Sequence, residues 1–146
     1  MEPAPLILAA LLACSAAPLW AEEDLMTRMA GVYGSDENPN FSCTENPVTL
    51  SFTQSPPHAV FSWDFPSETV VGPARTREVY DLIGPTEGGL MMRLEGEPRR
   101  TEEGTRPIWV LRPLAGYTGF CWGRQDWPLI RCTGTHHRCE AEAPTS

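Results

Sequence analysis

Apolar and polar residues alternate along most of the chain, the pattern that predicts half-buried β-strands. In "VFSWDF" the alternation places Phe61, Trp63 and Phe65 on one face, and the apolar residues of "PVTLSF" share a face in the same way. The runs "TREVYDLI", "GLMMRLE", "PIWVLR" and "GFCWG" continue the series. Because no segment between residues 47 and 133 has a helical period, we predict seven or eight short strands.

Prolines and glycines separate these runs and mark the turns between them. Almost all prolines after residue 38 fall between the alternating segments, and proline suits strand ends and turns but not central strands. "GPTEGG" at residues 84–89 has the length and the glycines of a hairpin connection. Strands joined mainly by hairpins predict an all-β fold, an up-and-down antiparallel β-barrel with a sandwich as the alternative.

One short helix is expected before the strands. "EEDLMTRMAG" has acids in its first turn, Leu25 and Met29 four residues apart, and Gly31 as a C-terminal stop. Residues 22–139, about 120 in number, are enough for a single domain with one core and too few for two. The acidic segment "EAEAPTS" at residues 140–146 has nothing to bury and is expected to be disordered.

The N-terminal segment predicts export. "LILAALLACSAAPL" is uncharged and is followed by acids, which is typical of a signal peptide spanning residues 1–21 with cleavage after Ala21. Its apolar run of about 14 residues is shorter than the roughly 20 that span a bilayer, so no transmembrane span is expected. "LLAC" resembles a lipobox, and a lipid anchor at Cys14 is the minority alternative to a soluble periplasmic or secreted form.

The net charge of the chain restricts the kinds of molecule that it is expected to bind. The chain has a net charge of −8, with 19 acidic residues against 11 basic ones. Binding to nucleic acid requires a basic face, so nucleic acid is not an expected partner. All the basic residues are arginine, and the absence of lysine beside frequent alanine indicates a bacterial genome of high GC content.

The cysteines predict two disulfides. Once Cys14 has left with the signal peptide or carried the lipid, Cys43, Cys121, Cys132 and Cys139 remain, an even number in an oxidising compartment. Four cysteines allow three pairings, which the sequence alone does not separate. We favour a short loop closed by Cys132–Cys139 together with a long-range Cys43–Cys121 bond.

Metal binding and catalysis find little support in the sequence. "CTGTHHRC" brings His136 and His137 between two cysteines, but adjacent histidines point to opposite sides of an extended chain and no Cys-x-x-Cys pair occurs. The nucleophile motif Gly-x-Ser-x-Gly is also absent from the sequence. We therefore predict no metal, no cofactor and no enzymatic activity, and a periplasmic enzyme of unrecognised type is kept only as an alternative.

The stretch "CWGRQDWP" is the candidate binding site. Trp122, Arg124, Asp126 and Trp127 combine flat aromatic surface with a guanidinium and a carboxylate, groups that recognise carbohydrate, peptide or protein. The alternative is architectural: Trp122 faces the core, Trp127 plugs a barrel end and Arg124 pairs with Asp126.

Two short stretches resemble known proteins. "MAGVYG", through Gly31 and Tyr33, resembles the start of the first strand in lipocalin-like barrels, and "CWGRQDWP" is similar to a stretch in small secreted proteins of alphaproteobacteria. The resemblance implies a fold and a compartment but no activity.

These observations predict a noncatalytic exported barrel that binds an unknown protein or small ligand in the bacterial envelope. An acidic inhibitor of a basic enzyme, of the lysozyme-inhibitor type, is the main alternative. The strands carry many bulky side chains, and we expect these to fill the lumen rather than to line a ligand cavity. They are Phe61, Trp63, Phe65, Tyr80, Trp109 and Trp122.

Overall fold

The computed structural model describes residues 19–140. They form a closed antiparallel β-barrel whose eight strands follow one another in chain order, preceded by one short helix. The fold class predicted from the alternation is confirmed, as a barrel and not as a sandwich. The elements are α1 (Leu19–Met29), β1 (Gly31–Ser35), β2 (Val48–Gln54), β3 (Pro57–Thr69), β4 (Gly72–Thr86), β5 (Gly89–Leu94), β6 (Trp109–Pro113), β7 (Gly119–Arg124) and β8 (Thr133–Arg138).

Parts of the predicted signal peptide and tail lie outside the described residues. Residues 1–18, with Cys14, and residues 141–146 belong to this group, so cleavage, lipid attachment and tail disorder stay predictions. Within residues 19–140, no helix has the length and apolar character needed to cross a membrane.

Helix α1 covers one end of the barrel, which we call the closed end. It ends at Met29, close to the stop predicted at Gly31, and its apolar residues pack against the core just before β1 begins. The Tyr33 hydroxyl donates a hydrogen bond to the Met29 carbonyl at 2.5 Å, and Arg138 Nη2 donates to the Arg28 carbonyl at 2.6 Å. The helix end is thereby attached to β1 and β8.

The half of the lumen next to α1 is filled by the core. Alternate residues of each strand point inward, and those in this half pack without contact with solvent. The side chains that are less than 2% exposed include Met29, Tyr33, Leu50, Leu90, Met92, Leu111 and Phe120.

The β4–β5 connection agrees with the hairpin predicted at residues 84–89. Strand β4 ends at Thr86 and β5 begins at Gly89, so Glu87 and Gly88 form the turn. Gly88 has a φ of +80°, a left-handed conformation that glycine adopts without steric cost.

Phe65 departs from the predicted strand pattern. The register of β3 against β4 shifts between Ser62 and Ser67, and Phe65 is 63% exposed although Phe61 and Trp63 are buried. The buried Asn46 side chain stabilises this irregular segment, because its Oδ1 accepts hydrogen bonds from the backbone N–H groups of residues 64 and 65 at 3.1 and 3.0 Å. An extra residue in a strand reverses the faces beyond it, so the expectation for Phe65 was wrong.

The two disulfides join Cys43 to Cys139 and Cys121 to Cys132. The number of bonds is as predicted, but the favoured pairing of Cys132 with Cys139 and of Cys43 with Cys121 was wrong. Cys132 and Cys139 flank the two ends of β8, about 20 Å apart along an extended strand, and so cannot be bonded to each other.

Strand register explains the observed pairing. Trp122 of β7 lies opposite Thr133 of β8, which brings the preceding residues, Cys121 and Cys132, together as diagonal neighbours with Cα atoms 5.6 Å apart. At the other end of β8, the Cys139 N–H donates to the Val32 carbonyl of β1 at 2.8 Å, which brings Cys139 to the strand that Cys43 packs against. A β-carbon on Gly34 would lie 2.7 Å from the Cys43 sulfur, so glycine is required there for this close approach.

We predict that the two bonds contribute unequally to stability. Their partners are separated by 96 and 11 residues, and loop-closure entropy gives about 4.7 kcal/mol for the long loop and about 2.8 kcal/mol for the short one. The double variant Cys43→Ser/Cys139→Ser should therefore unfold in urea at a lower midpoint than Cys121→Ser/Cys132→Ser. A thiol assay of the unfolded, unreduced protein should find all four of these cysteines oxidised, and equal midpoints for the two variants would contradict the entropic account.

Candidate functional site

A cavity of about 790 Å³ occupies the end of the barrel opposite α1, which we call the open end. The sequence predicted a lumen filled by bulky side chains, and the rings of Phe61 and Tyr80 do meet Trp122 across the barrel, so these rings bound the cavity from inside the barrel. The lumen of an eight-stranded barrel is just wide enough for side chains to fill it or for it to hold one small ligand. The strand aromatics that line the cavity are Phe61, Trp63, Tyr80, Trp109, Phe120 and Trp122.

Three of these rings come from β3, β4 and β7 and meet across the lumen as one cluster. Tyr80 stacks on Trp122 with centroids 5.1 Å apart, and Phe61 lies 5.3 Å from Tyr80 and 5.4 Å from Trp122. Tyr80 is buried, and burial raises the pKa of its phenol well above the usual range. The cluster presents apolar ring surface together with a neutral hydroxyl.

Trp109 forms a second part of the wall with an ion pair from the β5–β6 connection. The Glu97 carboxylate accepts two hydrogen bonds from Arg99, at 2.5 and 3.0 Å, and one from Trp109 Nε1 at 2.9 Å. Burial alone would raise the pKa of Glu97, but these hydrogen bonds outweigh it and hold the pKa below the usual value. Arg99 also lies over the Trp109 ring at 4.5 Å, which fixes the ring at the cavity wall.

The four residues of the sequence-predicted site lie together at the open end. Trp122, Arg124 and Trp127 line the cavity, whereas the exposed Asp126 does not. Arg124 donates to both Asp126 carboxylate oxygens, at 2.9 and 2.7 Å, and these hydrogen bonds lower the pKa of Asp126. The site therefore has features of both the architectural and the binding interpretation. The Arg124–Asp126 pair expected of an architectural role exists, and the tryptophans face a cavity as a binding role requires.

Trp127 is held between two guanidinium groups. Arg131 lies 3.8 Å and Arg124 5.2 Å from its ring centroid, and the Trp109 ring meets it edge-on at 5.7 Å. Residues 122–131, between Cys121 and Cys132, form a loop closed by the short disulfide, which we call the stapled loop. Trp127 is thus a fixed part of the rim.

Glu78 is the functional candidate that sequence reasoning missed. It lies opposite Phe61 in the β3–β4 register and two residues before Tyr80, so its side chain points into the barrel. It forms no ion pair with any residue in the described range 19–140. An acid on the apolar face of "TREVYDLI" was the signal that could have identified it.

The pKa of Glu78 is raised, because burial disfavours its charged form. The Thr69 hydroxyl and the guanidinium groups of Arg75 and Arg99 act in the opposite direction, and Glu97 adds to the increase. The raised pKa shows that these neighbours only partly compensate the carboxylate for the water it has lost.

His136 closes the floor of the cavity on the β8 side. Its ring stacks on Phe120 at 4.7 Å, and burial lowers its pKa, so the ring is neutral at pH 7. Nδ1 lies 2.8 Å from the Gly134 carbonyl and carries the proton, since a carbonyl oxygen can only accept. His137 points the other way, to Asp36 at 2.5 Å, so the two histidines do not share a site.

Another group of side chains on the barrel could hold a cation. The ligand atoms of His58, Asp81 and Glu95 lie within 4.8 Å of one another. His58 Nε2 is 3.0 Å from Asp81, and the two carboxylate side chains are 50% and 52% exposed. The geometry is that of an ordinary surface ion pair with a second acid nearby, and we assign no metal to it.

Comparisons of the chain with protein-family models, with curated proteins and with solved structures found no match. The resemblance to lipocalin-like barrels and to secreted proteins of alphaproteobacteria therefore stays a prediction. The site has to be interpreted from its own geometry.

We predict that Glu78→Gln stabilises the protein at neutral pH. An acid with a raised folded-state pKa contributes stability below its unfolded pKa and loses it as pH rises through the folded value. Glutamine is neutral throughout, so the variant should melt at a higher temperature than the wild type at pH 7 and at nearly the same temperature below pH 4.5, the unperturbed value. Thermal melts at both pH values measure this.

The matched control is Glu87→Gln, which removes an exposed carboxylate from the β4–β5 turn. It should leave the midpoint nearly unchanged at both pH values. If Glu78→Gln is less stable than the wild type at pH 7, the interactions of the carboxylate with Thr69, Arg75 and Arg99 outweigh the cost of its burial, and the prediction is contradicted.

Proposed function

We propose that this protein is an exported, noncatalytic barrel that binds a small organic ligand in the cavity at its open end. The observation that carries the proposal is the cavity of about 790 Å³ with aromatic walls. Ligand sites in proteins usually measure about 300 to 1,000 Å³, with apolar and aromatic walls and a few placed polar groups. Glu78, Arg99, Arg124 and His136 are among the polar groups that line this cavity.

The walls are held in place before any ligand arrives, which favours binding. The short disulfide closes the loop that carries Trp127, and Arg99 and Arg124 are each fixed by a bidentate carboxylate. Rigid walls reduce the conformational entropy that a ligand has to restrict. Such preorganisation supports recognition of one defined ligand shape.

The proposed compartment is the bacterial periplasm or the outside of the cell. Two disulfides in a chain of this size are typical of oxidising compartments and rare in the cytosol. The apolar segment at residues 6–19 supports the same assignment as a signal peptide.

Blocking the cavity should abolish ligand binding. Thr133 lines the mouth opposite Trp122, so Thr133→Trp directs a large ring into the open end. We expect the neutral fluorophore N-phenyl-1-naphthylamine to bind the wild type with a rise in emission, and Thr133→Trp to weaken this binding at least tenfold. Fluorescence titration measures both.

The matched control is Thr49→Trp, which adds the same ring at an exposed position of β2, opposite Val32 and Ser62. This variant should bind the fluorophore as the wild type does. Equal binding by Thr133→Trp and the wild type, or no binding by the wild type, would contradict a ligand site in the cavity.

A second candidate function is protein recognition through the tip of the stapled loop. Leu129 and Ile130 are 71% and 95% exposed, although both are large apolar residues. The loop is held by the disulfide, and Arg112 Nη1 donates to the Leu129 carbonyl. A rigid loop with an apolar tip on an acidic domain is suited to inserting into a basic enzyme, as an inhibitor does.

This candidate predicts inhibition of a lysozyme, the basic enzyme that we consider. The wild type should slow the hydrolysis of cell walls, and Ile130→Asp should remove the inhibition without changing the thermal midpoint, because the side chain is exposed. Ser51→Asp, at an exposed position on β2, is the control for the added charge. Absence of inhibition at low salt would contradict this candidate.

A further inference from the structure

The carboxylates around the cavity differ in whether an arginine forms an ion pair with them. Glu97 and Asp126 each receive two hydrogen bonds from an arginine, and the same arginines, Arg99 and Arg124, line the cavity. Glu78 also lines the cavity but has no ion-pair partner among residues 19–140. Both cavity arginines are therefore already paired, and Glu78 is left with only partial compensation, from the Thr69 hydroxyl and from Arg75 and Arg99 without an ion-pair contact.

Two further acids add to the negative character of the cavity. Glu37 and Glu68 line its mouth, and Glu37 accepts hydrogen bonds from the backbone N–H groups of Gly134 and Thr135 at 3.1 and 3.4 Å. Three acids and two arginines line the cavity, and both arginines are paired with carboxylates, so a surplus of negative charge remains even with Arg75 near Glu78 and Arg131 over Trp127. A cation entering the open end is attracted, and an anion is repelled.

The aromatic rings next to Glu78 also favour a cation over an anion. Phe61, opposite Glu78 in the register, and Tyr80, two residues along the strand, belong to the cluster that Trp122 completes. Aromatic faces carry negative charge density and attract ammonium groups, most strongly where water is excluded. The Glu78 carboxylate and the three rings thus lie together at the inner boundary of the cavity.

We infer that the ligand is an organic cation, an amine or quaternary ammonium group on an apolar body, whose charged group is bound by Glu78 and the rings of Phe61, Tyr80 and Trp122. This inference rests on the proposed function and names the ligand class for the same cavity. The volume of about 790 Å³ is much larger than an ammonium group, so the remaining space takes an apolar body of drug size along the aromatic wall. Binding of the cation supplies the ion pair that Glu78 lacks.

Three probes that each carry a phenyl ring on a four-carbon chain test the charge preference. They are (4-phenylbutyl)trimethylammonium, the neutral 4-phenylbutan-1-ol and the anionic 4-phenylbutyrate, each used to displace N-phenyl-1-naphthylamine from the wild type at pH 7. We expect the cation to displace the fluorophore at a concentration at least tenfold lower than the alcohol, and the anion to be the weakest.

The variant Glu78→Gln tests the assignment to one carboxylate. It should raise the concentration of cation needed at least tenfold and change that of the alcohol by less than twofold, because only the cation uses the charge. Retained binding of the alcohol shows that the cavity is intact. Glu87→Gln, in the exposed turn at the closed end, should leave all three probes unchanged.

The outcomes separate this inference from the proposed function. If the alcohol and the fluorophore bind but the cation has no advantage, or keeps its advantage in Glu78→Gln, the cation inference is overturned and the ligand cavity stands. Strongest displacement by 4-phenylbutyrate overturns it in favour of an anion at Arg99 or Arg124. If the fluorophore does not bind to the wild type, the proposed function itself fails.

Discussion

The position of β8 between β7 and β1 is the constraint on which the rest of the structure depends. Its hydrogen bonds to β1 close the sheet and remove both exposed edges. The same strand fixes both disulfides, because Cys132 precedes it beside β7 and Cys139 follows it beside β1. One strand thus connects the cavity at the open end, through His136, with the helix at the closed end, through Arg138.

Alternation along the chain was sufficient to predict the class of fold. It identifies which residues point inward, and the prolines and glycines show where strands end, so an antiparallel fold of seven or eight strands follows without knowledge of any contact. The choice of a closed, eight-stranded barrel over a sandwich comes from the structure. Pairing of the cysteines could not be predicted in this way, since it depends on the register between β7, β8 and β1. The prediction for Phe65 was wrong for a related reason. The bulge that reverses the face of Phe65 is stabilised by Asn46, which is far from Phe65 in sequence.

The candidate site could be predicted only in part from the sequence. Trp122, Arg124 and Trp127 were found because three functional side-chain types crowd into one short stretch, and the structure places all three at the cavity. Alternation predicts that the rings point inward, but how much space they leave at the open end depends on barrel width and ring orientation, which alternation does not report. Glu78 was overlooked because a single acid within a strand has the composition of a solvated edge.

Under the proposed function, binding and stability oppose each other at Glu78. A glutamine in its place would avoid the cost of burying a carboxylate, and the two arginines that line the cavity, Arg99 and Arg124, are already paired with Glu97 and Asp126. Incompletely compensated charge at a cavity wall is common at functional sites. A carboxylate that already has all its hydrogen-bond and ion-pair partners in the protein has none left for a ligand. The core at the closed end supplies the stability that allows the open end to keep such a group.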